Sequence, residues 1–243
     1  MTHTDLGRLT YNQALTDHPP GGLGTATARL LQSKGCSLAL LYAPFESQRR
    51  DKILEATFGS TTSSGVSAFE CDITDETSVA AAFQQIERHA QSQSESTASP
   101  FPSILVNAAG YVSVQPLEET SQQEAMRNFL PNLLGPFNAS TAFFRMYRRR
   151  VDAAGAAGGS ADGEGRVPPG RIVSISSQAS HVALDGHGAY CASKAGLNGL
   201  TRCMASEWGG RGVTANTVSP TGKSSVLSCD CGCGTCNAVR ERD

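Results

Sequence analysis

Arg171-Ile172-Val173-Ser174-Ile175-Ser176 leads into Ser177, and Tyr190-Cys191-Ala192-Ser193-Lys194 follows after a short polar stretch. The first run, dominated by β-branched residues, reads as a buried strand that delivers Ser177 at its end. From Tyr190 onward Leu197, Leu200, Met204 and Trp208 recur at helical spacing, an apolar stripe suited to core or subunit packing. Val213-Thr214-Ala215-Asn216-Thr217-Val218 reads as a strand again. A strand, a helix of twenty or so residues and a further strand make a parallel crossover unit.

Working toward the N-terminus, the same alternation repeats. A strand is expected at Ser103–Asn107, followed by a long helix over about Ser121–Arg149 that Pro131 and Pro136 should kink or interrupt. Val66–Cys71 is a strand, and Asp72-Ile73-Thr74-Asp75 caps a helix from about Glu76 to Ala90. Ser37–Tyr42 is a strand with a helix behind it to about Phe58. Gly21-Gly22-Leu23-Gly24 is a turn that opens a helix ending near Gly35, whereas Leu9–Thr16 makes a poor strand. Strands alternating with helices specify an α/β, doubly wound, mostly parallel Rossmann-like sheet. Ligands of such sheets lie beyond the C-terminal strand ends, where the Gly22 turn, Asn107–Gly110 and Ser177 converge.

The 243 residues carry a net charge of −2, enough chain for one domain and no electrostatic footprint for nucleic acid. Arg145, Arg148, Arg149 and Arg150 read as the solvated end of a helix. No apolar run is long enough to span a bilayer, and the N-terminus lacks the pattern of a secretory signal. A cytoplasmic protein is expected, with Cys36, Cys71, Cys191 and Cys203 as reduced, buried small hydrophobes. Gln91–Pro100 is a polar loop, and residues 152–170 form a Gly/Ala-rich insertion without fixed structure. The domain is expected over residues 1–220, with residues 221–243 as an atypical Cys-rich tail.

Tyr190 and Lys194 stand four residues apart, so on a helix they share a face. A cation beside a phenol favours its ionised form and pulls its pKa below about 10. With five Tyr and four Lys in the chain, chance alone yields about 0.1 such pairs. A tunable phenol with a hydroxyl, Ser177, to steady a substrate oxygen is the outline of carbonyl reduction.

Asn107-Ala108-Ala109-Gly110, Asn132, Ser177 and the Tyr190/Lys194 pair, in this order, resemble the short-chain dehydrogenase/reductase family over about Gly21–Pro220. The resemblance implies hydride transfer between NAD(H) or NADP(H) and a carbonyl or alcohol. It implies that Tyr190 protonates the substrate oxygen, that Ser177 hydrogen-bonds it, and that Lys194 tunes Tyr190 and grips the nicotinamide ribose. Asn132 would hold a water relaying protons toward Lys194, or serve as an ordinary amide at a helix kink. Gly22, Leu23, Gly24, Asn107 and Gly110 would line the cofactor cleft, with Asn107 tying the central strands together. Asp72 would bond the adenine amino group, or act as a plain helix cap. Tyr42-Ala43-Pro44 offers no acid to the ribose 2′-hydroxyl while Arg49 and Arg50 follow, so NADP(H) is preferred; Glu46 nearby leaves NAD(H) open.

Ser177-Gln178, His187 and Val218-Ser219-Pro220-Thr221 resemble the polyol dehydrogenase and xylulose reductase branch. Gln178 and His187 would then bond sugar hydroxyls, or be ordinary loop polarity. A 3-ketoacyl-thioester reductase is the alternative within the family, and a weakly catalytic binding protein the alternative outside it. Family resemblance also implies a homodimer or homotetramer packed through the long helices.

The chain departs from the family pattern in two places. His18 or Asp17 stands where the phosphate turn has its first Gly, and Pro19 and Pro20 follow. Prolines remove N–H donors and Asp17 repels phosphate, which weakens the expected pyrophosphate contact. After Thr221 the family's substrate loop and last strand are missing or replaced by a run containing Cys229, Cys231, Cys233 and Cys236. Their spacing differs from common zinc sites and no His joins them, so no metal site is assigned.

Overall fold

The computed structural model describes residues 8–12, 22–59, 65–92, 101–156 and 167–221. Residues 17–20, most of the polar loop, residues 157–166 of the insertion and the Cys229–Cys236 run lie outside the described residues. The elements in chain order are β1 (Arg8–Asn12), α1 (Leu23–Ser33), β2 (Leu38–Tyr42), α2 (Arg50–Phe58), β3 (Val66–Glu70) and α3 (Glu76–Ser92). They continue with β4 (Pro102–Asn107), α4 (Gln122–Phe129), α5 (Gly135–Ala156), β5 (Gly170–Ile175), α6 (Gly188–Trp208) and β6 (Val213–Val218). All pairings are parallel, in the order β3-β2-β1-β4-β5-β6. Strand order therefore reverses between β1 and β4, and a crevice opens beyond their C-terminal ends.

The period-two alternation of strand side chains fills both faces. Leu41, Leu105, Ile172, Val213 and Ala215 are buried on one face beneath Val79, Phe83 and Ile86 of α3, Phe143 and Met146 of α5 and Met204 of α6. Leu38, Leu40 and Val106 turn to the other face, against Ala28 of α1 and Leu54 of α2. Each such side chain contributes roughly 1.5–3 kcal/mol when fully buried. Further along this second face, Ile104, Val106, Val173, Ile175 and Val218 line an apolar hollow of about 330 Å³ under Leu23, Thr27 and Leu31. Phe144 stacks on Trp208 at 4.4 Å with Arg211 over its other side at 4.5 Å, so the end of the α6 stripe is tied to α5.

Expectations are corrected at β1, at the end of α5 and at two cysteines: Cys203 is exposed and Cys191 half-buried, because both lie off the buried stripe of α6. The stretch read as a poor strand supplies β1, in the sheet interior: Leu9 registers with Leu38 of β2 and Ile104 of β4. The ladder is made by backbone groups that every non-proline residue carries, and two flanking strands outweigh weak intrinsic propensity. The long helix is interrupted as its prolines foretell, into α4 and α5 joined by a π-helical turn over Leu130–Leu134. Pro131 lies in that turn, where its missing N–H disturbs the ladder; Pro136 sits in the first turn of α5. Finally, α5 runs through Ala156 into the stretch expected to lack structure. Ala153, Ala154 and Ala156 are strong helix formers, and Arg148 holds Asp152 at 2.7 Å one turn on. The remaining arginines are solvated as expected, with Arg145 and Arg149 reaching Glu76 and Glu87 of α3.

Candidate active site

Lys194 stands one turn beyond Tyr190 on α6, and this spacing brings its Nζ to 5.8 Å from the Tyr190 ring centroid. The side chain is 4% exposed, and Nζ donates to the Ile175 carbonyl at the end of β5 at 2.8 Å. With water excluded, the charged form is disfavoured and its pKa is pulled down to about 8. Burial also dominates at Tyr190, pushing the phenol upward; the nearby Ser177 hydroxyl acts in the opposite direction. The expectation that Lys194 lowers the phenol is thus corrected. The lowering partner is Ser177, while the Lys194 ammonium is turned to a carbonyl and is itself partly neutral near pH 8.

Ser177 follows β5 in an extended conformation, and its Oγ accepts from Ala179 N at 3.1 Å, capping the short 3₁₀ turn Gln178–Ser180. Strand and cap aim the hydroxyl at the first turn of α6.

Asn132 comes in from the π-helical turn and is fully buried. Its Oδ1 accepts from Tyr111 N at 2.8 Å, while Nδ2 donates to Tyr111 O at 2.7 Å and to Ser193 Oγ at 2.9 Å. Ser193 Oγ donates in turn to Tyr190 O at 2.7 Å. One amide therefore clamps the segment after β4 to the helix that carries Tyr190 and Lys194. Gly110 makes room for it: a Cβ there would lie 3.1 Å from Asn132 Oδ1 and 3.7 Å from Lys194 Nζ. A half-buried phenol near a hydroxyl, beside an amine that titrates near 8, is equipped to pass a proton to a carbonyl oxygen.

A family profile described as enoyl-(acyl carrier protein) reductase matches residues 20–225. The chain belongs to the short-chain dehydrogenase/reductase family. D-threitol dehydrogenase of Mycolicibacterium smegmatis is 35% identical over 216 residues, which are 88% of this chain and 71% of that one. L-xylulose reductase of Caenorhabditis elegans is 38% identical over 117 residues, 48% of this chain and 40% of that protein. A solved short chain dehydrogenase from Mycobacterium smegmatis superposes with a TM-score of 0.67 at 25% identity, covering 89% of this chain and 76% of the other. As a member of this family the chain is an NAD(P)-dependent oxidoreductase of small-molecule substrates.

The other residues expected in this reductase site fall at two ends of the crevice. Gly22 is the N-cap of α1 and a Cβ on it would meet nothing within 4 Å; Leu23 is 49% exposed and Gly24 buried. Asn107 donates from Nδ2 to Ser140 and Ser174 hydroxyls, each at 3.1 Å, tying β4 to β5 and α5. Asp72 is exposed, with Oδ1 accepting from Thr74 N and Oγ1 in a local turn, and it is Asp75 that takes Thr77 N in the first turn of α3. Gln178 donates its backbone N–H to Pro220 O at 3.1 Å. His187 sits edge-on to Tyr190 at 6.4 Å, with Nδ1 against Asp185 O. Tyr111 and Ser193 were missed by the sequence reading. Ser193, three residues after Tyr190, carried a signal, since a helical hydroxyl bonds back to the carbonyl one turn earlier; Tyr111 uses only its backbone and left none.

Among the described residues no helix is long and apolar enough to cross a membrane.

Proposed function

We propose that this chain is an NADP(H)-linked reductase of small polyhydroxy ketones, acting on a ketose–polyol pair. The observation that carries the reading is the Ser177–Tyr190–Lys194 constellation at one edge of the sheet, with Asn132 clamped behind it. The nicotinamide cofactor supplies the hydride when bound. Tyr190 gives its phenolic proton to the substrate oxygen, and Ser177 bonds that oxygen as charge develops. Lys194, desolvated and close to the ring, grips the nicotinamide ribose and stands ready to reprotonate the phenol. Asn132 holds the water that feeds this relay. Gly22 at the start of α1, with no described residue within 4 Å of where its Cβ would lie, leaves room for a pyrophosphate, and Gly22, Leu23, Gly24, Asn107, Gly110 and Asp72 line the cofactor path.

The preference for NADP(H) over NAD(H) is supported at the end of β2. Glu46, the acid able to hold a ribose 2′-hydroxyl there, is 2% exposed and its Oε2 accepts from Ala43 N at 3.0 Å. Arg50 lies over the Tyr42 ring at 5.8 Å, keeping a guanidinium at the same corner. The relatives' names support sugar and polyol substrates, with Gln178 and His187 bonding the hydroxyls. A homodimer or homotetramer is part of the reading, supported by exposed Met126, Leu134 and Phe137 along α4 and the start of α5. So are a single domain over residues 1–220 and a cytoplasmic setting, which suits the free thiols Cys36 and Cys71.

The exposed apolar rim of Val114, Leu117 and Val182 favours a second reading, a 3-ketoacyl-thioester reductase. The discriminating experiment follows NADPH and NADH oxidation with L-xylulose, erythrulose and an acetoacetyl thioester. The first reading expects the highest kcat/KM for NADPH with a sugar ketone. Faster turnover of the thioester establishes the second reading, and no turnover of any pair leaves a binding protein.

A further inference from the structure

Two turns beyond Tyr190, Asn198 reaches from α6 to the turn after Ser177. Its Nδ2 donates to Ser180 Oγ at 2.8 Å and approaches His181 Nε2 at 3.2 Å. Ser180 Oγ donates to the Ser177 carbonyl at 2.5 Å. The residue is 7% exposed, and its Oδ1 is buried without a hydrogen-bond partner. Leaving a buried amide oxygen unpaired costs about 1–3 kcal/mol, and an apolar side chain of that shape avoids the cost. The amide is therefore explained by what its donor side holds, and what it holds is the Ser177 turn.

Several restraints already act on Ser177, among them the bond from Ser180 N to its carbonyl at 3.0 Å. The β5–β6 pairing fixes the strand before it, and Ser177 Oγ caps its own turn through Ala179 N. None of these refers to the helix that carries Tyr190. The Asn198–Ser180–Ser177 chain does, because it starts on α6 and ends on the Ser177 backbone. It thereby ties the Ser177 backbone to the same helix that carries Tyr190.

The geometry points to Asn198, acting through Ser180, as a positioning residue that sets the reach of the Ser177 hydroxyl to Tyr190. The proposal deepens the reading of Ser177 and Tyr190 as a working pair. Replacing Asn198 or Ser180 lets the turn drift while the ring and both hydroxyls remain, so the phenol loses its partner without losing its place.

The test needs no substrate or cofactor, so its outcome is independent of whether a sugar ketone is reduced. The chain is labelled with ¹³Cζ-tyrosine, and the Tyr190 resonance is assigned by its absence in Tyr190→Phe. Spectra at neutral pH are compared for Ser177→Ala, Asn198→Ala, Ser180→Ala and the Asn198→Ala/Ser180→Ala double variant. The expected result is a Tyr190 shift of one direction in all four, with the double variant moving no further than either single. Where turnover is measurable, kcat falls about tenfold with KM within about twofold, the loss of one hydrogen bond's worth of alignment. Should Asn198→Ala fail to fold, Ser180→Ala carries the test, since Ser180 is half-exposed on a short turn. A Tyr190 resonance unmoved by Asn198→Ala or Ser180→Ala while Ser177→Ala moves it overturns the proposal. So do shifts that add in the double variant, or a Ser177→Ala variant that leaves Tyr190 unmoved.

Discussion

The two ends of the crevice are built to different tolerances. At the α6 end, Asn132 and Ser193 are fully buried, Lys194 nearly so, and each is bonded to a neighbouring element. At the α1 end, Gly22 faces open space, Leu23 is half-exposed and Asp72 is exposed in a local turn. The contrast teaches where this chain is pre-organised: the side chains proposed for proton transfer are fixed by neighbouring elements, whereas among the described residues the α1 end offers room and backbone. Substitutions at the two ends should therefore fail in different ways, and the gap between them can be measured.

The largest effect is expected at the tight end. Tyr190→Phe should lower kcat by roughly 10²–10⁴-fold, the usual contribution of a positioned acid. NADPH binding, followed by its fluorescence, should stay within about threefold, because the ring and its packing survive. A comparable loss of binding would show that the two ends are not separable.

Next is the pH dependence of stability set by Lys194. In the unfolded chain its amine titrates near 10.5, in the folded chain near 8. Between these values the unfolded state binds more protons, so stability rises with pH. The penalty is fully present below pH 8, amounts to roughly 3 kcal/mol there, and fades as pH climbs toward 10. Urea unfolding of the cofactor-free chain from pH 7.5 to 9.5 should show this rise, and Lys194→Met should flatten it. An equal slope in the variant would place the titrating group elsewhere.

The smallest expected effects come from a pair of glycines. Gly110→Ala puts a Cβ against Asn132 Oδ1 and Lys194 Nζ, and overpacking of this kind costs about 1–3 kcal/mol. Gly22→Ala meets nothing within 4 Å, so its cost should stay within about 0.5 kcal/mol. Urea midpoints report both, and similar values for the two would erase the contrast.

The sequence carried the fold where side-chain pattern carries it, and went astray where backbone alone does. Strands at Ile104–Val106 and Ile172–Ile175 were legible because apolar, largely β-branched residues fill one buried and one half-buried face. Strand β1 was not, since its place follows from the two strands that flank it. The break between α4 and α5 was foreseen from Pro131, but its π-helical form is a tertiary outcome that brings Asn132 inward. In the site, the i, i+4 rule placed Tyr190 beside Lys194. It did not foresee that burial would overrule the cation at the phenol, because desolvation depends on neighbours distant in sequence. Asn198 was equally hidden: four residues after Lys194 it looks like helix surface, and only the turn after Ser177 gives it a purpose.

The central claim, that Tyr190 completes a hydride transfer to a carbonyl, is tested most directly with NADPH carrying deuterium at the transferred position and L-xylulose as acceptor. The account predicts one deuterium per alcohol formed, bound to the former carbonyl carbon, and its near-complete loss with Tyr190→Phe. Alcohol without deuterium, or incorporation that continues unchanged in Tyr190→Phe, would contradict it.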